Sequence, residues 1–119
     1  MTENLNAFRD RCHSDSVKAG WYQNKDGTPK DINVGERLML IVSEVAEAME
    51  GHRKNLMDDH LKLRKMIEVE LADAQIRIND LAGYLKLDLG GACMEKLAYN
   101  QNRADHKPEN RFKEGGKLY

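Results

Sequence analysis

Long apolar runs are missing from this chain of 119 residues. None approaches the ~18 residues a membrane-spanning helix needs, so no membrane partner is expected. Cysteine is scarce: Cys12 and Cys93 are the two present, far apart and outside any Cys-x-x-Cys pattern. That usage predicts two reduced thiols, with neither a disulfide nor a zinc site. A dominant charge is missing too. Charged residues make up 33% and the net charge is −1, which gives no bulk attraction to nucleic acid or to anionic membranes. The N-terminus, Met1-Thr2-Glu3-Asn4-Leu5, lacks the basic and apolar regions of a signal peptide, and a cytoplasmic location is expected.

Several chemical signatures are absent as well. Gly90-Gly91 lacks the lysine and serine that complete a phosphate-binding Walker loop, and no Gly-x-Ser-x-Gly elbow or His-Glu-x-x-His zinc motif occurs. None of His13, His52, His60 and His106 follows a glutamate by three residues. That excludes the Glu-x-x-His pairs of di-iron bundles.

What is present reads as helix. Residues 3–19 form a first amphipathic stretch, with Leu5, Phe8, Cys12 and Val17 facing inward and Gly20 suited to the terminal turn. Trp21 and Tyr22 follow, then a polar loop from Asn24 to Lys30. The second helix runs from Asn33, a good N-cap with Glu36 at the capping-box position, to Arg53, with Gly51 near its end. Its core stripe is read as Leu38, Ile41, Val42, Val45 and Met49. A third helix spans 59–86, with Leu63, Ile67, Leu71, Ala74, Ile78 and Leu85 as its stripe and Gly83 a weak point. Asp88 can cap a fourth helix reaching Ala104. The expected architecture is all-α and four-helix-bundle-like: one domain over 1–104 and a polar arm or loose tail over 105–119.

Two acidic pairs stand out. Glu44 and Glu47, and Glu70 and Asp73, each lie three residues apart, which puts both side chains on one helix face. Antiparallel packing of the two helices would bring four carboxylates together. Such a group repels itself unless a cation sits within it, and hard oxygen donors in that number suit Mg²⁺ or Mn²⁺. Glu70 falls at the edge of its apolar stripe, where partial burial is expected; Glu47 points away from the stripe of its own helix. Acidic pairs are also common on solvated faces, so a non-catalytic helical interaction module is the alternative. On the fourth helix Lys96, Asn100 and Arg103 share one face, a set that can hold a polyphosphate or can be an ordinary basic face near a helix C-terminus. Trp21 is either a core plug or a flat surface for a base.

Gly20-Trp21-Tyr22, Asn33-x-Gly35-Glu36-x-Leu38-Met39-Leu40-Ile41-x-Ser43-Glu44-x-x-Glu47-Ala48 and Glu70-x-x-Asp73 resemble the MazG-like nucleoside triphosphate pyrophosphohydrolases over residues 8–107. The family motif is E-E-x-x-E followed by E-x-x-D, and Ser43 stands at its first position. The resemblance implies metal binding by Glu44, Glu47, Glu70 and Asp73, and phosphate contacts by Lys96, Asn100 and Arg103. It implies an all-α fold assembling as a dimer or tetramer. The activity implied is Mg²⁺-dependent hydrolysis of a (deoxy)nucleoside triphosphate to monophosphate and pyrophosphate, serving nucleotide-pool control or house-cleaning. A phage setting with dGTP as substrate is one branch of that family. Glu47 is the candidate proton acceptor, with Trp21 and His13 as candidates for contact with the base.

Overall fold

The computed structural model describes residues 1–118, of Ala104 the backbone alone; the last residue of the expected tail, Tyr119, lies outside the described residues. Helices α1 (Thr2–Lys18), α2 (Val34–Lys54), α3 (Met66–Tyr84) and α4 (Leu89–Gln101) are followed by a 3-10 turn (Ala104–His106) and a short α5 (Pro108–Arg111). The only extended pairings among the described residues are two isolated bridges, Gln23 with Pro29 and Met57 with Lys65. No helix among them is long and apolar enough to cross a membrane. The all-α expectation holds.

The boundaries follow local chemistry. Gly20 takes φ +90 after α1, a left-handed angle open to a residue without Cβ. Asn33 Oδ1 accepts the backbone N–H of Glu36 at 3.0 Å, and Asp88 Oδ1 accepts that of Gly91 at 2.9 Å. Each satisfies a donor that a helix start leaves open. The third helix, expected from residue 59, begins instead at Met66. Asp58 is the reason: its Oδ2 accepts the N–H groups of His60 at 2.9 Å and Leu61 at 2.7 Å. The loop then closes through Asp58 N–H to Arg64 C=O and Met66 N–H to Leu56 C=O, both 2.9 Å. Leu63, placed in the apolar stripe of α3 by spacing, sits in this loop and is 97% exposed.

The chain packs as two compact units. One comprises Met1–Asn6 with the chain from Asp88 onward. In it Gly90 lies against the first turns of α1, where an added Cβ would come within 2.6 Å of the Thr2 carbonyl oxygen; Asn6 Oδ1 accepts the Gly90 N–H at 2.8 Å. In the stretch read as a polar arm or loose tail, Asp105 pairs with Arg103 at 2.5 Å and lies 3.8 Å from Lys117, and Pro108 opens α5.

The other unit is Ala7–Leu87. Here α2 packs along α3. Gly51, in the last turn of α2 as expected, is also buried; a Cβ there would lie 2.8 Å from the Met66 side chain. α3, expected to reach residue 86, ends at Tyr84, next to Gly83; a Cβ on Gly83 would lie 2.6 Å from the His13 side chain of α1. Ala48 and Gly51 on α2 and Ala74, Leu81 and Ala82 on α3 are buried. The stripe read as core on α2 faces the other way: Leu38, Val42, Val45 and Met49 are 48–59% exposed. Leu71 and Ile78 of the expected α3 stripe are exposed too. Ala74 of the expected α3 stripe is buried as read, whereas most of the α2 stripe and the larger α3 residues Leu71 and Ile78 lie exposed.

Candidate metal centre and adjoining pocket

Because the small residues Ala48, Gly51 and Ala74 let α2 and α3 approach closely, the acidic pairs one turn away are forced toward each other. Glu44, Glu47 and Glu70 each offer a carboxylate oxygen, and the three atoms lie within 4.8 Å of one another. Asp73 stands outside that radius, yet feels the charge of both Glu44 and Glu47.

The group is electrostatically uncomfortable by itself. Glu70 Oε2 is buried with no hydrogen-bond partner. Burial, and then the proximity of Glu44 and Glu47, push the Glu70 carboxyl up to about 8. Burial and Glu44 likewise raise Asp73, while Arg77 opposes the rise. An orphaned buried oxygen beside two further carboxylates is what a hard divalent cation would satisfy. The donor set therefore fits Mg²⁺ or Mn²⁺. Arg77 Nε donates to Glu44 Oε1 at 2.9 Å. Ser43 takes no part; its hydroxyl donates to the Leu40 carbonyl at 2.6 Å.

A pocket of about 920 Å³ opens beside this cluster. Glu44, Asp73, Arg77 and Asp80 line one wall, with Trp21, Lys30 and Arg37 among the rest. Trp21 is no core plug: it is 62% exposed. The loop behind it is tied down by Lys30 N–H to Tyr22 C=O at 3.0 Å and Asn24 N–H to Thr28 C=O at 2.8 Å. Arg37 Nη2 donates to the Trp21 carbonyl at 3.3 Å and its guanidinium lies 5.1 Å from the Tyr22 ring centroid. His13 is not a pocket-wall residue; its Nδ1 is 3.0 Å from Asp80 Oδ1.

Lys96, Asn100 and Arg103 belong to the other compact unit. Arg103 donates to Asn100 Oδ1 at 3.3 Å and to Asp105, while the Lys96 ammonium lies 4.5 Å from the Tyr99 ring centroid. Sequence reasoning missed Arg77, Asp80 and Arg37. The signal for the first two was present as a continuation of the acidic pair: Glu70, Asp73, Arg77 and Asp80 recur every three or four residues, on one helix face.

No protein-family model, curated protein or solved structure matches the chain.

Proposed function

We propose that the chain hydrolyses nucleoside triphosphates to monophosphate and pyrophosphate with a divalent metal, Mg²⁺ or Mn²⁺. The observation that carries this reading is the convergence of Glu44, Glu47 and Glu70 around a buried, unpartnered Glu70 oxygen, beside a pocket that Trp21, Lys30, Arg37 and Arg77 help to line. Solvated acidic faces of an interaction module would not converge or lose water in this way.

In this reading Glu44, Glu47 and Glu70, with Asp73, hold the metal, which supplies charge neutralisation at the phosphates and a more acidic water. Glu47 is the exposed member of the three, so it is the one best disposed to take a proton from water at the edge of the site. Arg77, already on Glu44, supplies positive charge for the phosphate chain, while Lys30 and Arg37 lie further along the pocket wall, beside Trp21 and Tyr22. Trp21 offers a flat apolar face to the nucleoside.

The exposed row Leu38, Val42, Val45 and Met49 supports self-association, because a contiguous apolar helix face is seldom left in water. Nucleic acid and membrane do not figure as partners, and a role in the cytoplasmic nucleotide pool suits the activity.

The test is turnover of a panel of canonical triphosphates with and without Mg²⁺. Metal-dependent release of pyrophosphate that Glu70→Gln reduces by at least about 10³-fold supports the proposal. Equal rates in the two proteins, or no turnover of any triphosphate, overturn it.

A further inference from the structure

The wall of the pocket beyond the carboxylate cluster is built around Asp80. Tyr22 O–H donates to Asp80 Oδ1 at 2.8 Å. His13 Nδ1 lies 3.0 Å from the same oxygen and must carry its proton there, since a carboxylate only accepts. Two donors on Oδ1 hold the carboxylate in one orientation. Its second oxygen, Oδ2, receives no donor among the described residues, although the side chain is only 13% exposed and lines the pocket.

The supports of Asp80 are themselves fixed. The Tyr22 ring stacks on Tyr84 with centroids 5.1 Å apart and planes 18° from parallel, and Arg37 covers it at 5.1 Å. The edge of His13 meets Tyr22 at 4.9 Å. Burial and the bond to Asp80 push the Tyr22 phenol well above its ordinary value, so it stays a donor at any physiological pH. A carboxylate held by this many contacts, with one oxygen left over on the pocket wall, is placed to receive a donor from a ligand.

Its place along α3 says which part of a ligand. Asp80 follows Asp73 by seven residues, about 10 Å along the helix axis on the same face. With phosphates at the carboxylate cluster, the nucleoside end of the molecule extends toward Asp80 and the Trp21 face. This step rests on the pocket being a nucleotide site, as proposed above.

We infer that Asp80 selects the base by accepting an N–H from an exocyclic amine, so that amine-bearing bases are favoured over analogues that lack the amine. A carbonyl oxygen at the position of the amine, as in uracil, would set an acceptor against the carboxylate, and a base with only hydrogen there would leave Oδ2 without its donor. Asp80 thus acts as a specificity determinant, with His13 and Tyr22 as its positioning residues.

The test needs neither metal nor hydrolysis. Two pairs of nucleoside monophosphates are titrated in the absence of divalent ions, dCMP against dUMP and dGMP against dIMP, by calorimetry with Trp21 fluorescence as a second readout. In at least one pair the amine-bearing member should bind about tenfold tighter or more. Asp80→Asn, which turns an acceptor into a donor, should abolish that ratio. Tyr22→Phe, which keeps the carboxylate but frees it to rotate, should narrow it. Equal affinities within both pairs, no monophosphate binding at millimolar concentration, or an unchanged ratio in Asp80→Asn overturns the inference. Discrimination without turnover of any triphosphate would leave Asp80 as a base reader and remove the catalytic proposal. Turnover without discrimination would do the reverse.

Discussion

Arg77 Nε donates to Glu44 Oε1 at 2.9 Å, so the metal-free cluster already contains one internal cation bound to one of its three glutamates. Arg77 lies one turn beyond Asp73 on α3 and also offsets the rise in the Asp73 carboxyl. The arrangement makes Arg77 a competitor of the metal for Glu44.

Arg77→Met should therefore lower the metal-free melting temperature and enlarge the gain on adding Mg²⁺. The pair is partly exposed, so its contribution is at most about 1 kcal/mol, or roughly 4 °C for a domain of this size. Thermal scans with and without Mg²⁺ measure both. The same metal-induced gain in the two proteins would separate Arg77 from the site.

The pH dependence of the metal-free protein carries the signature of Glu70. Its folded carboxyl is raised from an ordinary 4.5 to about 8. Between those values the folded chain holds a proton that the unfolded chain has released, so stability falls as pH rises. The contribution is fully present below the ordinary value and lost as pH climbs through about 8; Asp73, also raised, acts in the same direction. Melting temperatures recorded from pH 5 to pH 9 should decline in the wild type. Glu70→Gln should flatten the decline and be the more stable protein at pH 9. An identical decline in both would show that Glu70 is not the group responsible. Saturating Mg²⁺ should reverse the trend, because metal and proton compete for the same oxygens.

The exposed row on α2 should be covered by a second copy of the chain. Sedimentation at about 10 μM is expected to show a dimer or larger species, and Val45→Glu, at the centre of the row, should shift it toward monomer. A wild-type monomer at that concentration would contradict this.

How much of this was legible beforehand differs from residue to residue. The glutamates were readable because a spacing of three fixes a shared helix face whatever the tertiary context. The ends at Gly20, Asn33 and Asp88 were readable because the residue types themselves satisfy or terminate a helix. The start of α3 was not, since the helical pattern around Leu63 gives no warning that the Asp58 side chain captures two backbone N–H groups. The inward face of α2 was misread because this helix buries Glu44, Ala48 and Gly51 rather than its larger apolar residues. Hydrophobic patterning assumes that the most apolar face meets the chain's own core; here small and acidic residues occupy that seam. Arg77 and Asp80 were hidden for the same reason, as polar residues extending the Glu70 face into a pocket that only the packed helices define.

The site of bond cleavage tests the central claim most directly. Hydrolysis of a triphosphate in ¹⁸O-water with Mg²⁺, followed by mass analysis of the products, reports which phosphorus is attacked. The account predicts label in the nucleoside monophosphate and none in pyrophosphate, with turnover lost in Glu70→Gln. Label confined to pyrophosphate would mean attack at the β-phosphorus, and label in orthophosphate would mean a γ-phosphatase; either contradicts the account even if the carboxylates bind metal.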